Sequence, residues 1–391
     1  MSLDLGKVNA QVMAMVSLIG NRRDDERHRR EKALATLTGI ADYNALQNKI
    51  TSAKTTWLVA GLPEDPKKVY TPPPPPADFN VIATDGSHID VSRHEPARCY
   101  LINIGAVRLT YGATPDAMLE NTPTLYADEA DMVIKAPGGG REQLVEGPLL
   151  GIKRGIEELC GLGALAEQTN GPTLALVDGT LVHWGLEGFP DYVVDTLFHG
   201  RLLPCLNAMQ KKADAGGFAL ASYISQPRAT EVVNAMRLAI CGQDPIDCDR
   251  CKTHECEAVA GVRDRDIFTE TLREDERSAV FASRSSVVEK HYGAHAVRFY
   301  YVKTAEETAR VEIPAWVAEN EQMLSLTHAL VLDQCRRGHG YPVALAEAHE
   351  VAVVTGADRE NFWELVTAEM AGAGLPVNVS LKSFMKRARW V

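Results

Sequence analysis

Two short apolar runs in this chain end in the same way. VIATDGSHID (81–90) runs into Asp85-Gly86-Ser87, and TLALVDGTLVHW (173–184) runs into Asp178-Gly179-Thr180. A strand that stops in Asp-Gly and a hydroxyl residue delivers a carboxylate to the open end of a sheet. The glycine lets the chain turn sharply and a ligand approach the backbone. Two such carboxylates on neighbouring strands repel each other unless a cation lies between them. The implied chemistry is hydrolysis with divalent metal, and phosphodiesters are the first substrate class to consider. In two-metal hydrolysis carboxylates hold the cations about 3.5–4 Å apart, and a third acid is usually required. Glu157 and Glu158, in the segment before Asp178, both qualify. On a helical wheel each lies roughly 130° from the apolar stripe, on opposite sides, so the wheel leaves both open.

The elements that must position these groups follow from periodicity and punctuation. Residues 5 to about 58 carry apolar side chains at spacings of three and four, which predicts helix. Five prolines at 72–76 form a stiff extended spacer and mark a boundary. The expected organisation is an N-terminal helical arm (1–70), a Pro-rich linker (71–77) and one main domain (78–391). In that domain the strand into Asp85 comes first, then a strand or hairpin over 99–112. Pro148 opens a helix to about Gln168, with Leu149, Ile152, Ile156, Leu159 and Gly163 on one face. The strand into Asp178 follows. FALASYIS (218–225), VRFYYVKT (297–304) and ARVEIPAWV (309–317) read as strands, and segments near 230–241, 320–336 and up to Met370 as helices. The fold class is α/β, with a mixed rather than purely parallel sheet.

Composition narrows the function classes. The 391 residues are 45% hydrophobic and 24% charged, ordinary for a soluble globular protein. No apolar run reaches transmembrane length and the N-terminus has no secretion signal, so a cytoplasmic protein without a membrane partner is expected. A net charge of −11 opposes nonspecific coating of nucleic acid but not metal-dependent cleavage of it. The C-terminal SLKSFMKRARWV interleaves Lys386 and Arg387 with aromatics, a pattern that suits either a nucleic-acid strand or a tail docked on the body by those aromatics. Arg310 and Glu312 alternate with apolar residues in ARVEIP. Arg310 could reach substrate phosphate and Glu312 metal; the other reading is a plain surface strand face.

Four pieces stand in order along the chain: ATDGS with Asp85; KRGIEE with Arg154 and Glu157; LVDGTL with Asp178; and the GYP…AH segment with Tyr341 and His349. Together they resemble the NurA-type nucleases, DNA end-processing enzymes of the RNase H-like fold that work with a HerA-type hexameric ATPase. The resemblance covers most of residues 78–365. It implies Asp85, Glu157 and Asp178 as manganese or magnesium ligands, with Glu158 an open alternative to Glu157. It also implies Tyr341 and His349 as active-site residues, His349 as ligand or proton-transfer group. Ser87, Arg154 and Thr180, which flank these acids, are candidate substrate-binding residues. The resemblance further implies a homodimer docked on a HerA-like partner, 5′-to-3′ exonuclease and single-strand endonuclease action on DNA, and a role in end resection during double-strand break repair. An actin- or sugar-kinase-type phosphotransferase also places Asp-Gly-Ser/Thr turns on phosphate and magnesium, but gives GYP…AH no role. A silent nuclease-fold scaffold has no use for the acids.

Four cysteines crowd into CGQDPIDCDRCKTHEC: Cys241, Cys248, Cys251 and Cys256. Cys-x2-Cys flanked by two more cysteines is metal-ligand spacing, so zinc or an iron–sulfur cluster is expected there, with His254 able to replace one thiol. This segment departs from the NurA pattern and reads as an insertion. In a reducing compartment disulfides are not expected; Cys99, Cys160, Cys205 and Cys335 read as buried packing residues.

Overall fold

The proline run opens at Pro72, and the chain passes from one folded unit to another there. The computed structural model describes residues 4–92 and 95–377, the side chains of 21 and 22 excepted. One unit contains the chain up to Thr71 with 225–285 and 298–311; the other contains 72–224, 286–297 and the chain from Glu312 onward.

The second unit is built on a mixed sheet. Strands β1 (Phe79–Ile89), β2 (Tyr100–Tyr111) and β3 (Asp116–Tyr126) form an antiparallel meander. Helix α1 (Pro148–Ala166) then leads to β4 (Thr173–Asp178), parallel to β1. Helix α2 (Leu203–Asp214) leads to β5 (Phe218–Ile224), parallel to β4. The order across the sheet is β5-β4-β1-β2-β3. Central strands covered on both faces read as continuous apolar runs, and Leu174 to Val177 are all buried. β3 was not evident from sequence because it is an exposed edge. Its Asp116, Glu120 and Pro123 suit a strand that must not pair further, and they imitate a loop. Pro148 starts α1 after Gly147, whose φ is +53°. After β5 the unit adds α3 (Glu321–Arg337), α4 (Val343–Ala352) and α5 (Gly356–Gly372).

The first unit packs the helices Leu5–Thr38, Tyr43–Ser52, Glu231–Ile240 and Asp264–Thr271 around Leu37, Ile50, Met236, Phe268, Phe281 and Tyr301. The predicted helix over 5–58 is two helices, and the chain is irregular beyond Ser52. Leu5, Val12, Met13, Val16 and Ile19 on the first helix are exposed.

Two expectations need correction. The strand Thr308–Pro314 is buried at every residue, and Arg310 and Glu312 are each 2% exposed. Arg310 Nη1 bonds Glu231 Oε1 at 2.6 Å and the guanidinium lies 3.6 Å from the Phe299 ring centroid. The charged alternation therefore marks an internal ion pair, not a surface face, and Arg310 is a packing residue rather than a substrate contact. The second concerns Cys160 and Cys205, which form a disulfide with Cα atoms 5.3 Å apart, joining α1 to α2. Their separation of 45 residues gave no local signal.

Candidate active site

The parallel register of β1 and β4 sets the two aspartates side by side. Thr84 pairs with Val177, so Asp85 and Asp178 are the next residues on adjacent strands. Asp85 pairs across β2 with Gly105. Side chains alternate along a strand, so Asp85 and Gly105 face one side of the sheet and Thr84 and Gly86 the other.

Helix α4 covers the Asp85 side. A Cβ at Gly105 would stand 2.6 Å from the Ala348 carbonyl oxygen and 2.7 Å from the Ala352 amide nitrogen, so only glycine lets the helix backbone come this close. Ser87 Oγ and Asn103 Nδ2 both donate to the Ala352 carbonyl, at 2.5 and 2.9 Å, and fix the end of the helix. The result delivers His349, whose Nδ1 lies 2.8 Å from Asp85 Oδ2. The imidazole itself is 60% exposed. Ser87 thus spends its hydroxyl on positioning α4. Tyr341, just before α4, hydrogen-bonds Asp178 and meets Tyr223 edge-on at 5.5 Å.

Helix α1 covers the other side. Thr84 Oγ1 donates to the Glu158 carbonyl at 2.9 Å. The Glu158 side chain fills the space left by Gly86, where a Cβ would come within 2.5 Å of Oε1. Arg154 Nε stands 2.9 Å from Glu158 Oε1, close enough for an ion pair but off hydrogen-bond alignment. Burial pushes the Glu158 carboxyl up to about 7; Arg154 opposes this, while the charges of Asp85 and Asp178 add to it. Burial likewise raises Asp178, and Asp85 adds to that rise. Glu158 thus feels both aspartates, and Asp178 feels Asp85. Glu157 is elsewhere: both its oxygens accept from Arg201, at 3.2 and 2.7 Å. Of the two open candidates, Glu158 is therefore the one gathered with the aspartates.

Thr180 and the loop that follows it are held by Glu312. Its Oε2 accepts from Thr180 Oγ1 and from the Leu181 amide, both at 2.8 Å. Glu312 therefore acts as a fastener for the loop leaving Asp178. Sequence reasoning missed Gly105 and this anchoring role. The available signal for the first was a glycine in the middle of a β-rich run. Lys386 and Arg387 lie outside the described residues.

Asp85 and Asp178 at adjoining strand ends, with Glu158 near enough to feel both charges, offer the hard oxygen donors that manganese or magnesium prefers. Among the described residues, however, no group of three or more His, Cys, Asp or Glu is already arranged to coordinate an ion. The same holds for the cysteine segment. Cys241 is buried, Cys248, Cys251 and Cys256 are partly buried, and all four are free thiols. Cys248 feels the other three, and backbone amides donate to Cys248 from Thr56 and to Cys251 from Thr253 and His254.

Comparison with known proteins gives one family. The NurA domain model matches residues 79–354. A search of curated proteins finds no match. Among solved structures, the chain is similar to Marinitoga piezophila Argonaute in complex with 5′ OH guide RNA and target DNA, at 10% identity and a TM-score of 0.25. That alignment covers 71% of this chain and 30% of the Argonaute chain. It is also similar to LC9-RNase H1, a type 1 RNase H with the type 2 active-site motif, at 10% identity and a TM-score of 0.19, over 42% of this chain and 71% of that one. The unit itself is a mixed sheet flanked by helices. Among the described residues no helix is long and apolar enough to cross a membrane.

Proposed function

The chain belongs to the NurA family of nucleases, and from that premise we propose that it is a DNA nuclease dependent on manganese or magnesium. The observation that carries this reading is the gathering of Asp85, Asp178 and Glu158, with burial and mutual charge raising two of the three. A site that strains to keep its carboxylates ionised favours a cation. Asp85, Asp178 and Glu158 would hold the metal, with His349 beside them. When bound, divalent metal supplies Lewis-acid neutralisation of phosphate charge. His349 and Tyr341 orient Asp85 and Asp178 through their hydrogen bonds. Arg154 restrains Glu158.

The finer reading is 5′-to-3′ exonuclease and single-strand endonuclease action in DNA end resection, as a homodimer with a HerA-like ATPase in the cytoplasm. It is supported by family membership. The exposed apolar first helix is a surface on which a second copy or a partner helix would bury area. For the cysteine segment, zinc or an iron–sulfur cluster is supported by ligand spacing and by the amides aimed at Cys248 and Cys251.

The test is cleavage of end-labelled single-stranded and duplex DNA with manganese, by the native chain, Asp85→Ala and Asp178→Ala. Metal-dependent cleavage lost in both variants is expected. Cleavage that survives in both would overturn the assignment of the site.

A further inference from the structure

The loop that leaves Asp178 is fastened at nearly every residue. Thr180 and Leu181 bond Glu312, and the Val182 amide bonds Thr180 Oγ1 at 3.0 Å. The Tyr292 hydroxyl donates to the Leu181 carbonyl at 2.7 Å and accepts from the His183 amide at 3.0 Å. The Trp184 amide bonds the Val182 carbonyl at 2.9 Å. Leu181, Val182 and Leu186 are buried, and a Cβ on Gly185 would come 2.9 Å from Ile152 on α1. Leu181, Val182 and Leu186 therefore anchor this loop in the core. Yet Trp184 is 41% exposed, whereas Trp316 and Trp363 are buried.

A large aromatic held at the surface by a rigid backbone has low entropy to lose on stacking, and every nucleic-acid base has a face to offer it. Trp184 is six positions after Asp178, so their Cα atoms lie within about 20 Å, a distance spanned by a few nucleotides of an extended strand.

We propose that Trp184 is a base-stacking residue that seats one base of a single strand next to the carboxylate site. The proposal rests on the nuclease reading. It deepens that reading by giving the site a preference for unpaired ends: a base inside a duplex is stacked on its neighbours and cannot meet the indole.

The test measures anisotropy of a short labelled single strand bound to the native chain, Trp184→Ala and Trp184→Phe, in EDTA so that nothing is cut. The same strand carrying abasic sites is run beside it. Trp184→Ala should bind the normal strand about 5- to 150-fold more weakly. Trp184→Phe should recover most of that loss, and the native chain should lose a comparable factor on the abasic strand. Trp184→Ala should then bind the two strands alike. Unchanged binding by folded Trp184→Ala overturns the proposal, as does a Trp184→Ala loss relative to native that is as large on the abasic strand as on the normal one. If the native chain cuts DNA in an Asp85-dependent way while Trp184→Ala behaves as native, the stacking role alone falls. If the folded native chain neither binds nor cuts DNA, the nuclease reading falls with it.

Discussion

The Glu158 carboxylate lies where a side chain at position 86 would have to go. A Cβ on Gly86 would stand 2.5 Å from Glu158 Oε1 and 3.0 Å from its Cγ. The glycine after the first aspartate is thus a seat for the acid from helix α1, as well as a place where a ligand could approach the backbone. Gly86→Ala should push Glu158 aside. Because the displaced atoms belong to a side chain that can move, the stability cost should stay within about 1–3 kcal/mol, while nuclease activity falls far more. Comparing denaturant midpoints with cleavage rates checks this; a variant with unchanged rates would contradict it.

Gly105 has the same function on the other face, with a harder neighbour. A Cβ there meets the backbone of α4 at Ala348 and Ala352. Backbone cannot step aside as a side chain can, so Gly105→Ala should displace the helix and break the contact between His349 and Asp85. We expect destabilisation at the upper end of about 1–3 kcal/mol or beyond it, together with loss of activity. A stability equal to native, measured by urea titration, would show that α4 does not press on this position.

Much of this arrangement is legible in the sequence, and the parts that are not have physical reasons. The strands into Asp85 and Asp178 announce themselves because interior strands must be apolar on both faces and must stop in a turn. The helix at Pro148 is equally plain. Choosing between Glu157 and Glu158 was beyond periodicity, since both flank the apolar stripe. The choice is made by tertiary packing: Gly86 and Thr84 receive Glu158, while Arg201 takes Glu157. Arg310 looked like a surface charge because its partner, Glu231, is 79 residues away. The disulfide was hidden for the same reason, and also because an inferred compartment argued against it.

The acid cluster should write itself into the pH dependence of stability. The folded pKa of Glu158 is about 7, above its ordinary 4.5, and that of Asp178 is also raised. Over that interval the folded state holds more protons than the unfolded one, so stability is greatest below about 4.5 and falls as pH rises toward 7. Metal binding needs the ionised forms and runs the other way, strengthening as pH rises through 7. Thermal melts should therefore show the native chain losing stability from this pair between those pH values, with Glu158→Gln showing a flatter profile. Added manganese should raise the melting temperature more at pH 8 than at pH 5. An equal effect at both pH values would contradict the assignment.

The cysteine segment makes a separate prediction. If Cys241, Cys248, Cys251 and Cys256 bind a structural metal, the chain purified without chelator should carry zinc in equimolar amount, or the several irons of one cluster with matching labile sulfide. Cys248→Ser with Cys251→Ser should lose it. Because the site belongs to the first unit, loss of its metal should lower that unit's stability, while added manganese should still support Asp85-dependent chemistry in the second unit. Elemental analysis that finds neither zinc nor iron would leave these residues as free thiols.

The central claim is that Glu158, not Glu157, completes the set with Asp85 and Asp178. It is tested most directly by manganese-dependent cleavage of labelled DNA, with Glu158→Gln and Glu157→Gln measured side by side. Glu158→Gln should lose activity by about 100-fold or more. Glu157→Gln removes only its ion pair with partly exposed Arg201, which is worth about 0.2–1 kcal/mol, and should cut at near the native rate. The reverse outcome, with Glu157→Gln dead and Glu158→Gln active, would contradict the account.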